Sequence, residues 1–186
     1  NDEARKMFKL LEDKNRVAVD LWKKFRDLSF KEFKEFYKIL GVEFDVYSGE
    51  SFYNESSKEV IKELIEKKIA VESAGALIVE FPELGTPLIV RKSDGASIYG
   101  TRDIAAAKDR YKKYKFDKMI YVVGSDQNLH FKQVFGTLKK MGNKWADNCT
   151  HVNFGLIYLP EGKLSTRKGN VIFLKEVLDK TFELTM

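Results

Sequence analysis

The sequence is poor in residues that staple a fold from outside its core. A single cysteine, Cys149, among 186 residues excludes an intrachain disulfide and predicts an intracellular, cytoplasmic setting. With only two histidines, His130 and His151, besides that thiol, no metal site is expected. No apolar run approaches the roughly 20 residues that cross a bilayer, so no membrane partner is expected. The first residues carry no secretory or transit pattern. There is no Walker loop and no glycine-rich dinucleotide fingerprint.

What remains is 44% apolar and 33% charged, the balance of a folded, soluble chain. Its length suffices for one good core or two modest ones. The net charge of +5 is spread over Lys–Glu neighbours such as "KEFKEFYK", which read mostly as a solvated helix surface. The basic balance still favours an anionic partner. The chain opens on "NDEARK" without a Met and stops at "TFELTM" inside an apolar-periodic run. A piece of something longer is expected.

Periodicity predicts helices first. Ala18, Leu21, Trp22 and Phe25 form one helical stripe. Ser29 with Glu32 reads as a capping box opening a second helix, whose stripe is Phe33, Phe36, Tyr37 and Leu40 and whose stop is Gly41. Val42, Phe44 and Val46 alternate with acids and predict a strand with one wet face. Ser56 and Glu59 read as the cap of a further helix, with Ile61, Leu64 and Ile65 inward. "ALIVEFPELGTPLIV" predicts two strands around a Pro/Gly turn.

From about Ser93 the texture changes to strand–helix alternation, which argues for a parallel sheet with crossover helices. "ASIYG" reads as a short strand, with Thr101 opening a helix. "KMIYVV" reads as a strand buried on both faces. "GSDQN" leads into a helix carrying Phe131, Val134, Phe135 and Leu138, and "THVNFGLIYL" is another strand. A boundary is expected near residue 92.

In open parallel sheets, ligands bind beyond the carboxyl ends of the strands, where the next helices begin. Two such junctions carry unusual side chains: "YGTRD" with Tyr99, Arg102 and Asp103, and "GSDQNLHFKQ" with Asp126, Gln127, His130 and Gln133. An Asp at a helix start has an ordinary explanation in the dipole and the exposed amides. Gln127 is likewise an ordinary loop residue in most proteins. Together, however, a carboxylate, a phenol and an amide at one sheet edge would suit a planar guanidinium. His151 reads as a structural histidine in its strand, and Cys149 lacks an evident base, which argues against a thiol nucleophile. The turn "EGKLSTRKGNV" concentrates Lys163, Ser165, Thr166, Arg167 and Lys168. Nucleic acid, nucleotide phosphates and plain solvent all remain open as its partner.

Successive stretches of the chain resemble the arginyl-tRNA synthetases, class I aminoacyl-tRNA synthetases. The stretches that carry the likeness are "LWKKFRDLSFKEFKEFYKILGVEFDVYSGESFY", "YGTRDIAAAKDRY", "MIYVVGSDQNLHFKQVF" and "HVNFGLIYLPEGKLSTRKGNVIFLKEVL". "YGTRDIAAA" with "STRKGNV" downstream is the specific part. The resemblance implies that Tyr99, Asp103 and Gln127 bind L-arginine. It also implies that "KLSTRKG" is the second class I signature, a mobile loop whose charge stabilises the phosphates of ATP as pyrophosphate leaves. His151, Phe154 and Gly155 would lie near the adenine. Lys163 and Ser165 match the superfamily signature Lys-Met-Ser-Lys-Ser, whereas Leu164 and Thr166 depart from it, so the identity of the principal cation stays open among Arg167, Lys168 and a residue elsewhere.

The implied fold is α/β: the second half of a Rossmann-like parallel-sheet catalytic domain at 93–186, its signature loop at 163–169, with an inserted α+β connective region at 1–92. The first class I signature, His-x-Gly-His, is absent, and the anticodon-binding domain would follow Met186. The implied partners are L-arginine, ATP with Mg2+, and tRNA, in a monomeric parent enzyme, with little or no catalysis by the fragment alone. Two alternatives stand beside this. One is a non-catalytic RNA-binding module using lysine pairs such as Lys67–Lys68 and Lys139–Lys140. The other is a class I synthetase for another amino acid such as lysine.

Overall fold

A computed structural model describes residues 2–93, 98–156, 158–159, 162–163 and 172–185. The chain divides into two compact units, Asn1–Tyr47 with Arg167–Met186, and Ser48–Thr166.

The first unit is helical. It comprises α1 (Asp2–Glu12), α2 (Arg16–Leu40), an irregular arm over residues 42–47, and α6 (Leu174–Thr185). The Asn15 side chain caps α2 by accepting from the Ala18 amide at 3.3 Å, which satisfies one of the orphan donors of the first turn. Gly41 closes α2 at φ 65°, a left-handed geometry that costs glycine little. Between these caps α2 runs 25 residues without a break. The new helix expected at Ser29 therefore does not exist. No Gly or Pro interrupts the amide ladder, so Ser29 is carried through as an interior residue.

The strand expected over Val42–Val46 is also absent. No neighbouring strand completes its ladder, and the arm folds back instead, edge-on, with the Phe44 ring 5.0 Å from Tyr37 and the Tyr47 ring 5.7 Å from Phe30. Aromatic packing has replaced pairing.

The second unit begins with a 3-10 turn at Glu50–Tyr53 and α3 (Asn54–Glu66). Then come β1 (Ala70–Ser73), β2 (Ala76–Val79) and β3 (Leu88–Arg91), an antiparallel sheet in the order β1-β2-β3. Ala74 (φ 48°) and Gly75 (φ 78°) form the two-residue hairpin loop between β1 and β2. Next are α4 (Tyr99–Tyr114), β4 (Met119–Gly124), a 3-10 turn at Ser125–Gln127, α5 (Asn128–Lys140) and β5 (Cys149–Phe154). β4 and β5 pair in parallel from Met119↔Cys149 to Gly124↔Phe154. The strand–helix–strand unit predicted from the apolar pattern is thus formed, with α5 as its crossover. The short strands β6 (Tyr158–Leu159) and β7 (Gly162–Lys163) follow as an antiparallel pair.

One core runs through this unit. Val60 and Leu64 of α3, Val79 and Val90 of the antiparallel sheet, Ile104–Ala107 of α4, Tyr121 of β4 and Val134 and Leu138 of α5 belong to a single buried cluster. The antiparallel sheet before residue 92 and α4 after it share that core. Position 136 sets the spacing: a Cβ on Gly136 would lie 2.6 Å from Cε1 of Phe81, so α5 reaches this distance only without a side chain there.

Three further expectations need correction. Ile65 is exposed, and Val60 takes the inward place beside Leu64. α4 opens at Tyr99 rather than Thr101, and Ala96 and Ser97 of the expected short strand lie outside the described residues. β4 is not covered on both sides. Met119 and Tyr121 are buried, whereas Ile120 and Val122 are 54% and 67% exposed.

Candidate functional site

The carboxyl ends of β4 and β5 meet where Gly124 stands opposite Phe154. Directly beyond β4, the turn Ser125–Gln127 hands the chain to α5, whose N-cap position is Gln127. The start of α4 is brought to the same place from β3. The Thr101 hydroxyl donates to the Val90 carbonyl at 2.6 Å in the core. Gly100 allows the approach, since a Cβ there would sit 3.0 Å from Leu88 Cδ1.

These constraints decide what Asp103 does. It is the fifth residue of α4, too far along to cap the helix, and its side chain is 32% exposed. The ordinary capping explanation therefore fails for it. Its Oδ2 lies 2.6 Å from Nε2 of His130, whose ring is buried. Carboxylate oxygens only accept, so the imidazole donates from Nε2. The Tyr99 ring packs on the same imidazole at 4.8 Å, tilted by 51°. Phe131 closes another side at 5.2 Å. Tyr99 and Asp103 are thus joined through His130, and Gln127 stands three residues before His130 at the head of α5. The result is a half-open corner with a carboxylate in it and a phenol on its rim, an arrangement that suits a cationic guest.

Other residues of the two junctions are committed to structure. Arg102 turns to α3 and its preceding turn, donating to Asn54 at 3.1 Å and to Glu50 at 3.2 Å. Gln133 is buried and donates to the Thr86 carbonyl at 2.8 Å. His151 lies in mid-strand with Nε2 2.9 Å from the Val123 carbonyl and its ring 4.5 Å from Phe131. Phe154 and Gly155 are exposed at the carboxyl end of β5. Of the signature loop, the backbone of Lys163 is in β7, while Ser165, Thr166, Arg167 and Lys168 lie outside the described residues. Among the described residues no group of three His, Cys, Asp or Glu side chains could hold a metal ion. No described helix is long and apolar enough to cross a membrane.

Burial shapes the remaining titratable groups nearby. It pushes the Cys149 thiol up to about 11, although the Lys139 charge pulls the other way. A thiol so poorly ionised is no nucleophile at neutral pH. Burial likewise pushes the Tyr121 phenol up to about 12, against the Arg110 guanidinium over its ring at 5.6 Å.

Sequence reasoning marked Tyr99, Asp103 and Gln127 but gave His130 no role. The signal was modest: a histidine on the third residue of the helix that follows the Gln127 turn. Nothing in the linear order ties it to an aspartate 27 positions earlier.

Comparison with known proteins identifies the family. A model of the family "tRNA synthetases class I (R), catalytic domain" matches residues 1–186. The arginine–tRNA ligase of Clostridium kluyveri is 56% identical over 187 residues, which cover 100% of this chain and 33% of that protein. That of Clostridium perfringens is 55% identical over 185 residues, covering 99% and 33%. Among solved structures, the arginyl-tRNA synthetase of Plasmodium falciparum superposes with a TM-score of 0.73 at 30% identity, over 83% of this chain and 28% of that one. The Thermus thermophilus arginyl-tRNA synthetase, at 16% identity and a TM-score of 0.61 over 94% and 38%, shares the fold. The chain spans about a third of the length of the curated relatives it matches. It belongs to the catalytic-domain family of the arginine-type class I tRNA synthetases.

Proposed function

We propose that the chain is a working segment of an arginine–tRNA ligase, which joins L-arginine to ATP, releases pyrophosphate and passes the arginyl group to its tRNA. The observation that carries the reading is the anionic corner at the sheet edge, Asp103 braced by His130 under Tyr99, in a chain of this family. A guanidinium is planar and presents paired donors, so a carboxylate with a phenol and a carboxamide beside it complements its charge and its shape. Asp103 supplies the charge. Tyr99 supplies a ring edge and a hydroxyl. Gln127, from the head of α5, supplies an amide.

ATP would meet the carboxyl end of β5, where Phe154 and Gly155 stand, with His151 behind them holding the strand through Val123. ATP enters as its magnesium complex, the ion being carried by the phosphates. The signature residues Lys163, Ser165, Thr166, Arg167 and Lys168 would supply positive charge as the pyrophosphate departs, which favours the transition state over the ground state. Such a ligase works in the cytoplasm, where its amino acid, nucleotide and tRNA are found. The segment by itself is expected to be inactive, because residues outside it complete the nucleotide site.

Asp103→Asn in the complete ligase tests the reading, by pyrophosphate release with tRNA present. Removing the charge facing a desolvated guanidinium costs on the order of 2 kcal/mol, so the arginine KM should rise about 30-fold. Lysine offered in place of arginine should remain a poor substrate for the wild type. Unchanged arginine KM and kcat in the variant, or a preference for lysine, would overturn it.

A further inference from the structure

We infer that His130 is a positioning residue for arginine recognition: its Nε2–H holds the Asp103 carboxylate in one orientation, so that the second oxygen meets the guanidinium. The inference rests on the arginine-site reading above and adds to it the group that organises the site.

The geometry leaves little else for this imidazole to do. Its Nε2 is 2.6 Å from Asp103 Oδ2, and Asp103 Oδ1 takes no partner among the described residues. An aspartate on a helix surface with its carboxylate 32% exposed would otherwise rotate among several rotamers, and binding would have to select one of them. The imidazole cannot swing aside. Its residue is 7% exposed, with Tyr99 at 4.8 Å and Phe131 at 5.2 Å against the ring. A Cβ on Gly100 would lie 3.7 Å from its Cε1, so the α4 backbone also crowds it. Donation from Nε2 leaves the carboxylate its charge, which a bound guanidinium requires.

One side chain therefore touches two of the three expected arginine contacts, Asp103 by a hydrogen bond and Tyr99 by ring packing, and it shares the first turn of α5 with the third, Gln127. A purely structural ion pair has no need of this arrangement. Thr101 already ties α4 to β3, and Gln133 already ties α5 to the loop before β3.

The test separates the hydrogen bond from the packing in the complete ligase. His130→Phe keeps a buried ring and removes the donor. His130→Gln keeps a donor that reaches the place of Nε2 and gives up the ring packing. Steady-state constants for arginine, ATP and tRNA are measured beside thermal melts. The expected result for His130→Phe is an arginine KM raised about tenfold, by loss of a charge-assisted hydrogen bond and of preorganisation, with ATP and tRNA constants within about twofold. The expected result for His130→Gln is an arginine KM within about threefold of wild type even where the melt falls. Combined with Asp103→Asn, His130→Phe should add almost nothing, because both act through one carboxylate.

Arginine KM that follows melting temperature across the variants, or that multiplies in the double variant, would overturn the inference. Where one single variant fails to fold the other decides: an unchanged KM in His130→Phe, or a tenfold rise in His130→Gln, is sufficient to reject it. Asp103→Asn with an unchanged arginine KM would instead remove the arginine-site reading itself, and the two failures are distinguishable.

Discussion

The two units use similar amphipathic material to different ends. In Ser48–Thr166 the apolar stripes close on each other, and Leu64, Val79, Val90, Ile104, Val134 and Leu138 are wholly buried. In the helical unit, Ala18 is the buried hydrophobic residue among those described, while Phe25, Leu28, Phe33 and Phe182 stay about half or more exposed. Hydrophobic stabilisation scales with the area taken from water, about 25 cal/mol per Å2, so the same stripe stabilises strongly only where a second layer covers it. A strong helical period is thus a statement about a face, and says little about whether that face is packed.

The sharpest way to break the comparison is a matched pair of truncations. Leu138→Ala should destabilise the sheet-containing unit by about 2–5 kcal/mol through lost burial and a cavity. Phe25→Ala, from a side chain already 59% exposed, should shift denaturant midpoints by about 0.5 kcal/mol or less. Equal losses would show that α2 is packed as tightly as α5.

A second pair concerns glycines. Gly136→Ala gains about 1 kcal/mol in helix propensity, but its methyl would meet Phe81 at 2.6 Å, and overpacking should leave it about 1–3 kcal/mol less stable. Gly41→Ala meets nothing within 4 Å and suffers from φ 65° alone, with an expected loss of about 1 kcal/mol. Calorimetry on both variants ranks the two effects.

The smallest effect is electrostatic. Burial raises the Glu63 pKa, yet hydrogen bonds from Lys108 and Lys67 and their charges outweigh it, and the carboxyl titrates below its ordinary 4.5. A lowered folded value means stability that is present above pH 4.5 and lost as the pH falls through the folded pKa. Acid titration should therefore destabilise the wild type more than Glu63→Gln below that point. The exposed pair Lys9–Asp13 of the helical unit, 69% and 55% accessible, sits in water that screens it, and replacing it should change stability at neutral pH by about 0.5 kcal/mol or less.

The candidate site was legible in its parts. Tyr99, Asp103 and Gln127 were readable because strand-to-helix junctions are marked locally, by a continuous apolar run, then small or polar residues, then a helical period. What joins them was not. The partnership of Asp103 with His130 depends on α4 and α5 lying side by side, and helix adjacency leaves no trace in the spacing of either segment. Asp103 also looked like a helix cap because its helix was read as starting two residues late. Two residues of helix separate a capping position from one that faces His130.

Local interactions account for what was legible. The Gly41 stop of α2 depends on groups a few residues apart, and the strands and helix of the β4–α5–β5 crossover each carry their own period, so local pattern marked them in advance. Ser29 and Val42–Val46 failed the same test because an unbroken amide ladder and the want of a partner strand are decided by more than local preference. Tertiary packing alone joined the antiparallel sheet and α4 in one core and buried His130 against a carboxylate. Contacts between residues distant in sequence are selected by the collective burial of surfaces, and no single segment encodes that by itself.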